Sequence, residues 1–173
     1  MNLFLIGYRG TGKTHVGRLL AQHLNRPFVD LDAMITESAG MPISTMIERH
    51  GWDFFRKQER EILETVAASR HQVIATGGGI VTDPRNIATL RRGTVIWLTA
   101  TAETIGSRLS ADPATLENRP PLTDLSAHDE IRRVLAERTP FYQQAAHLTI
   151  ATDAISIAAV CEQIVWFINK LTE

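Results

Sequence analysis

The chain has 173 residues, 44% hydrophobic and 21% charged, enough for one ordinary core and unlike a fibrous or disordered composition. A formal net charge of −1 argues against bulk electrostatic binding to nucleic acid or to an anionic membrane. No apolar run reaches the length needed to span a bilayer.

Leu3–Ile6 is a short apolar run that predicts a strand. Gly7-Tyr8-Arg9-Gly10-Thr11-Gly12-Lys13-Thr14 follows it directly, in the pattern G-x-x-x-x-G-K-[ST] of a phosphate-binding loop. The glycines let backbone wrap closely round an anion, and the loop amides with the next helix N-terminus form a nest of partial positive charge. Lys13 is expected to reach the β- and γ-phosphates of a nucleotide, and the Thr14 hydroxyl to ligate Mg²⁺. Residues 13–25 predict a helix with Val16, Leu19, Leu20 and Leu24 on one face. After the break at Arg26-Pro27, Phe28-Val29-Asp30 predicts a second strand, and residues 32–38 a helix stopped at Gly40.

Two helices are expected on either side of Gly51, over 43–51 and 52–69, then a buried strand over 72–75 ending in Thr76-Gly77-Gly78-Gly79. Pro84–Leu90 predicts a helix, 94–98 a strand and 102–109 another helix. Residues 110–124 hold three prolines and no usable period, which predicts a long loop of the kind that forms lids. Helix over 126–145, strand over 147–151 and helix over 155–171 complete the series. This alternation predicts an α/β fold of three layers, α/β/α, with a central five-stranded parallel sheet in one domain over 1–173. Such sheets bind ligands beyond the carboxyl ends of their strands, where Gly7–Thr14, Asp30–Asp32 and Thr76–Gly79 all fall. Met1 leads into the first strand with no basic segment, so a secretory leader is not expected and a cytoplasmic setting is. Cys161, the single cysteine, reads as a buried structural thiol. The six histidines show no metal spacing and read as structural or surface residues.

Four further constellations carry chemistry. In Asp30-Leu31-Asp32, residues two apart on an extended chain point the same way, so both carboxylates can face the loop. One can hold Mg²⁺ and the other can accept a hydrogen bond from an acceptor hydroxyl; a helix-capping aspartate is the plainer alternative. Arg56 and Glu59 stand at i and i+3 on a helix, so the carboxylate can fix a guanidinium that grips a carboxylate ligand, although such pairs are common on surfaces. Gly77-Gly78-Gly79 signals either close approach of a ligand or a tight turn. Arg119 in the long loop could close over a transferring phosphoryl group or be a solvated charge, and Arg138 could be a second anion clamp.

Taken in order, these motifs closely resemble the shikimate kinase family, in the nucleoside-monophosphate-kinase-like branch of phosphate-loop proteins. The resemblance covers essentially the whole chain: Gly7–Thr14, Phe28-Val29-Asp30-x-Asp32, Phe55-Arg56-x-x-Glu59, Ala75-Thr76-Gly77-Gly78-Gly79, Arg119-Pro120 and Glu137-Arg138 with Tyr142. It implies ATP-dependent phosphorylation of the shikimate 3-hydroxyl in aromatic amino-acid biosynthesis, by a cytoplasmic monomer that needs no nucleic acid or membrane. It implies that Thr14 and Asp30 hold Mg²⁺, and that Lys13, Asp32 and Arg119 are catalytic. Gly10, Thr11, Gly12, Lys13, Thr14, His15, Arg108 and Arg119 then contact ATP, with Arg108 on the adenine. Asp32, Arg56, Glu59, Gly77, Gly78, Gly79 and Arg138 bind the acid, within substrate helices at about 31–62 and below a lid at 110–124. Some relatives place a basic residue near the adenine after the fifth strand, and Thr152-Asp153-Ala154-Ile155-Ser156 has none. Two rival readings remain open: a kinase of another small polyol acid, gluconate above all, and a nucleotide-binding regulator without catalysis.

Overall fold

The computed structural model describes residues 1–111 and 126–171. Its sheet is built from β1 (Leu3–Ile6), β2 (Phe28–Asp30), β3 (Val73–Ala75), β4 (Thr94–Thr99) and β5 (Leu148–Ala151), in the order β2-β3-β1-β4-β5 with every pair parallel. The helices are α1 (Lys13–Leu24), α2 (Leu31–Ala39), α3 (Ile43–Ala68), α4 (Pro84–Leu90), α5 (Ala102–Ser110), α6 (Ala127–Ala145) and α7 (Ile157–Lys170). A 3₁₀ turn at Ile80–Thr82 follows the triple glycine.

The three-layer expectation holds for the described residues, and β1 shows why. It is the middle strand, and a parallel strand covered on both faces must be apolar throughout. Leu3 and Leu5 turn into a core with Val16 and Leu20 of α1 and Ile164 and Ile168 of α7. Phe4 and Ile6 turn the other way, against Leu63 of α3, Leu90 of α4 and Tyr142 of α6. The phosphate loop therefore leaves the best-anchored strand, between its two neighbours β3 and β4.

Departures from expectation are local. Leu19 is 37% exposed, because Gly17 and Ala21 share the buried face of α1 with Val16 and Leu20. Position 17 leaves no room for a Cβ, which would stand 2.5 Å from Cε2 of Phe28. Gly51 (φ 82°, ψ 170°) breaks α3 into the two expected helices. The loop expected at 110–124, with Arg119, lies outside the described residues apart from its first two positions.

His147 lies just before β5 instead of within it, and its Nδ1 accepts a hydrogen bond from Val95 N at 3.0 Å. Cys161 is buried, its Sγ 3.6 Å from the Val16 carbonyl oxygen, and burial pushes its thiol pKa up. Since the thiolate is the reactive form, Cys161 in the native chain should react with an aromatic disulfide reagent about a hundredfold more slowly than in the urea-unfolded chain. Absorbance of the released thiol measures both rates, and equal rates would contradict the burial.

Candidate active site

The loop after β1 is built on backbone that side chains would block. A Cβ on Gly7, whose φ is 140°, would overlap the Leu98 carbonyl oxygen and stand 3.0 Å from Thr11 Oγ1. Gly12 caps α1 in the left-handed region (φ 90°, ψ 11°), which turns the first amides of the helix toward the loop. Thr11 Oγ1 donates to the Tyr8 carbonyl at 2.7 Å, and Lys13 Nζ reaches the carbonyls of Gly7 and Tyr8 at 2.7 and 2.8 Å. Arg108 of α5 fastens the loop from outside: its guanidinium donates to Gly10 O at 3.1 Å, to Thr152 Oγ1 at 3.0 Å and to Thr152 O at 2.7 Å.

A cavity of about 860 Å³ opens over this loop. Gly10, Thr11, Gly12, Lys13, Thr14, His15, Asp30, Asp32, Gly78 and Arg108 all line it, together with Arg9. Thr152, Ile155, Ile157 and Val160, which follow the fifth strand, also line it. After Thr152 this wall is aliphatic, with Ile155, Ile157 and Val160 where the sequence has no basic residue.

Asp30 ends β2 and takes the helix-capping role that the sequence offered as the plainer alternative, with a second contact to Thr14. Its Oδ1 accepts from the amides of Asp32 and Ala33 at 3.1 and 3.4 Å and so caps α2, while its Oδ2 accepts from the Thr14 hydroxyl at 3.0 Å. Asp32 is placed differently from the extended pair expected. The helix begins at Leu31, so Asp32 sits in its first turn, and the turn of the helix rather than strand alternation aims it at the cavity.

Arg56 is held from several sides. Its Nη1 donates to Glu59 Oε2 at 2.5 Å, and the Glu59 side chain is wholly buried. The guanidinium carbon lies 5.0 Å from the Phe55 ring centroid and 5.5 Å from that of Trp52. The triple glycine closes the remaining side. A Cβ on Gly79 would stand 2.6 Å from Arg56 Cζ, and one on Gly78 would lie 3.4 Å from both Arg9 N and Gly7 O. The turn thus has the phosphate loop on one side and the guanidinium on the other. Arg138 of α6 lies near Tyr142, whose buried hydroxyl donates to Gly78 O at 2.5 Å. Burial pushes the Tyr142 pKa up to about 12, and the charges of Arg138 and Arg56 both pull against that rise.

Gly77, Gly79, Arg56, Glu59 and Arg138 do not line the large cavity itself. They gather behind Gly78, which does.

The shikimate kinase family model matches residues 9–169. A shikimate kinase of Symbiobacterium thermophilum is 44% identical, over 100% of this chain and 97% of its own length. One of Syntrophus aciditrophicus is 41% identical over 94% of this chain and 88% of its own. The chain belongs to the shikimate kinase family. Among solved structures, shikimate kinase from Acinetobacter baumannii in complex with shikimate superposes with a TM-score of 0.91 at 34% identity, covering 98% of this chain and 93% of that one. The P-loop kinase architecture read from the sequence is that of the family.

Within this shikimate kinase fold, sequence reasoning passed over two residues. Arg9, inside the phosphate loop, pairs with buried Glu130 at the start of α6, Nη2 to Oε1 at 2.5 Å. Trp52 braces Arg56. Arg9 has no local signal beyond residue type, since it and Glu130 are 121 positions apart, whereas Trp52 and Arg56 stand at the helical spacing i and i+4.

Proposed function

We propose that this chain transfers the γ-phosphoryl group of ATP to the 3-hydroxyl of shikimate, giving shikimate 3-phosphate and ADP in aromatic amino-acid biosynthesis. The observation that carries the reading is the triple-glycine turn, which packs on the phosphate loop through Gly78 and on the braced Arg56 through Gly79. A phosphate cradle and a carboxylate grip are thereby joined through three residues.

Phosphoryl transfer asks little covalent work of a protein; it asks for alignment and for positive charge around a spreading negative one. The loop amides and Lys13 are suited to supply that charge at the β- and γ-phosphates. Arg56 and Arg138 are assigned to the carboxylate of the acid, which they would hold through charge-assisted hydrogen bonds. Asp32 is assigned to the acceptor hydroxyl, as orienting group and proton acceptor. Arg119 is assigned to the phosphates from the sequence pattern alone. His15 and Arg108, both lining the cavity, are assigned to the nucleotide.

The pairing of Thr14 Oγ1 with Asp30 Oδ2 fits Mg²⁺, a hard ion that takes one or two protein oxygens and completes its shell with phosphates and water. When bound, it neutralises charge on the phosphates. Among the described residues no cluster of three or more His, Cys, Asp or Glu offers a protein-only metal cage. Among the same residues no helix is long and apolar enough to cross a membrane. We take the working form to be a cytoplasmic monomer, the setting expected from the sequence.

Release of ADP, measured with shikimate, with gluconate and with no acid, tests the reading. Release that depends on shikimate and not on gluconate is the expected result. Preference for gluconate would move the assignment to another polyol-acid kinase, and tight ATP binding without acid-dependent release would make the chain a regulator.

A further inference from the structure

Tyr142 is fully buried, with its ring stacked on Trp97 at 5.4 Å between centroids and 18° between planes. A phenylalanine would fill that space equally well, so packing does not explain the hydroxyl. The hydroxyl donates to the carbonyl of Gly78, the residue that packs on the phosphate loop. Arg138 lies one helical turn earlier on α6, at i and i+4, and the charge of its guanidinium bears on the same oxygen. A phenol can donate one bond and accept others, and here it donates to the turn that backs Arg56 and faces the second arginine.

We propose that the Tyr142 hydroxyl is a positioning group for the acid site, holding the Gly77–Gly79 turn and Arg138 in register so that Arg56 and Arg138 address one carboxylate. The inference rests on the proposed function and deepens it. Tyr142 touches neither substrate in this scheme; it acts through Arg138 and through the turn. Among fully buried side chains it is one of two tyrosines. The other, Tyr8, has Arg9 of the phosphate loop as its charged neighbour and so offers no such link to the acid site.

Tyr142→Phe keeps the ring and removes the link. Its KM for shikimate should rise on the order of tenfold, the scale on which orienting partners act on a ligand group. Its KM for ATP and its kcat should stay within about twofold of wild type, a split that a merely structural loss would not give. In an Arg138→Ala background the same change should add clearly less than in wild type, because one of the two groups being oriented is gone and only the turn is left to hold. Trp97→Phe, which trims the stack and keeps the hydroxyl, serves as the packing control and should leave the KM for shikimate unchanged.

Should Tyr142→Phe fail to fold, fluorine NMR replaces it. The chain has two tyrosines, so Tyr8→Phe protein labelled with 3-fluorotyrosine carries a single signal at Tyr142. Shikimate should shift that signal, and a signal that does not move overturns the proposal. So does folded Tyr142→Phe with an unchanged KM for shikimate, or with both KM values raised equally. Wild-type chain without shikimate-dependent ADP release would instead overturn the proposed function, and the same assay reads it first.

Discussion

Lys13→Ala lowers shikimate-dependent ADP release on the order of a thousandfold and leaves the fold in place, with the loss almost entirely in kcat. Its ammonium is the one positive side chain inside the loop motif that lies over the loop carbonyls, bonded to those of Gly7 and Tyr8 at the cavity. A preorganised donor aimed at developing charge contributes about a hundred- to a thousandfold in turnover, because it needs no rearrangement as the charge forms. The two carbonyl bonds are modest by comparison, about 1 kcal/mol each, and water entering from the cavity can replace them. Thermal melting should therefore move by only a few degrees, consistent with loss of about 1 kcal/mol or less after water exchange. Lys13→Arg should rescue little, because a planar fork cannot occupy the place of a compact ammonium. Steady-state ADP release beside a melting curve separates the outcomes. Turnover within tenfold of wild type in a folded variant would remove Lys13 from the mechanism.

The contrast between Lys13 and Tyr142 shows what could be read from the sequence. The loop from Gly7 to Thr14 is legible because residue type dictates each step: glycine where backbone must turn left-handed or pack on Leu98, lysine and threonine where the motif pattern expects an anion and its counterion. Arg56 and Glu59 are legible because helical spacing brings them together whatever the fold does. The three inner strands β3, β1 and β4 were legible as apolar runs, since a strand buried on both faces admits little else, while the half-buried edge strands β2 and β5 carry a weaker signal.

Asp32 was assigned the right direction for the wrong reason: alternation presumed a strand, and capping by Asp30 starts the helix at Leu31. Leu19 was misplaced because hydrophobic spacing gives no weight to Gly17, whose smallness lets Phe28 approach. Contacts such as Arg108 to Gly10, or Tyr142 to Gly78, join positions 98 and 64 apart. They exist only because β3 and β4 flank β1, and no local pattern encodes that order.

Gly79→Ala should raise the KM for shikimate about a hundredfold with little effect on folding or on the KM for ATP. The backbone at Gly79 (φ −99°, ψ 2°) is open to alanine, and the turn bonds from Ile80 N to Gly77 O and from Thr82 N to Gly79 O do not involve a side chain. The new Cβ meets no fixed backbone; it would stand 2.6 Å from Cζ and 2.7 Å from Nη1 of Arg56. That contact is far too close, so the guanidinium must leave its place. It cannot leave Glu59 cheaply, because stripping the partner from a buried carboxylate costs about 3–5 kcal/mol. It therefore pivots on Glu59 and over the Phe55 and Trp52 rings, away from the turn.

A displacement near 1 Å in a substrate-positioning group is enough for about a hundredfold loss. Gly78→Ala should be milder, since its Cβ would find 3.4 Å to its nearest neighbours, an ordinary contact. Adding Gly79→Ala to Arg56→Ala should cost almost nothing more, because both act on the same guanidinium and neighbouring effects of that kind do not add. If Gly79→Ala instead raised the KM for ATP as much as that for shikimate, the turn would be serving the phosphate loop rather than Arg56, and the carboxylate grip would have to be sought elsewhere on α3 or α6.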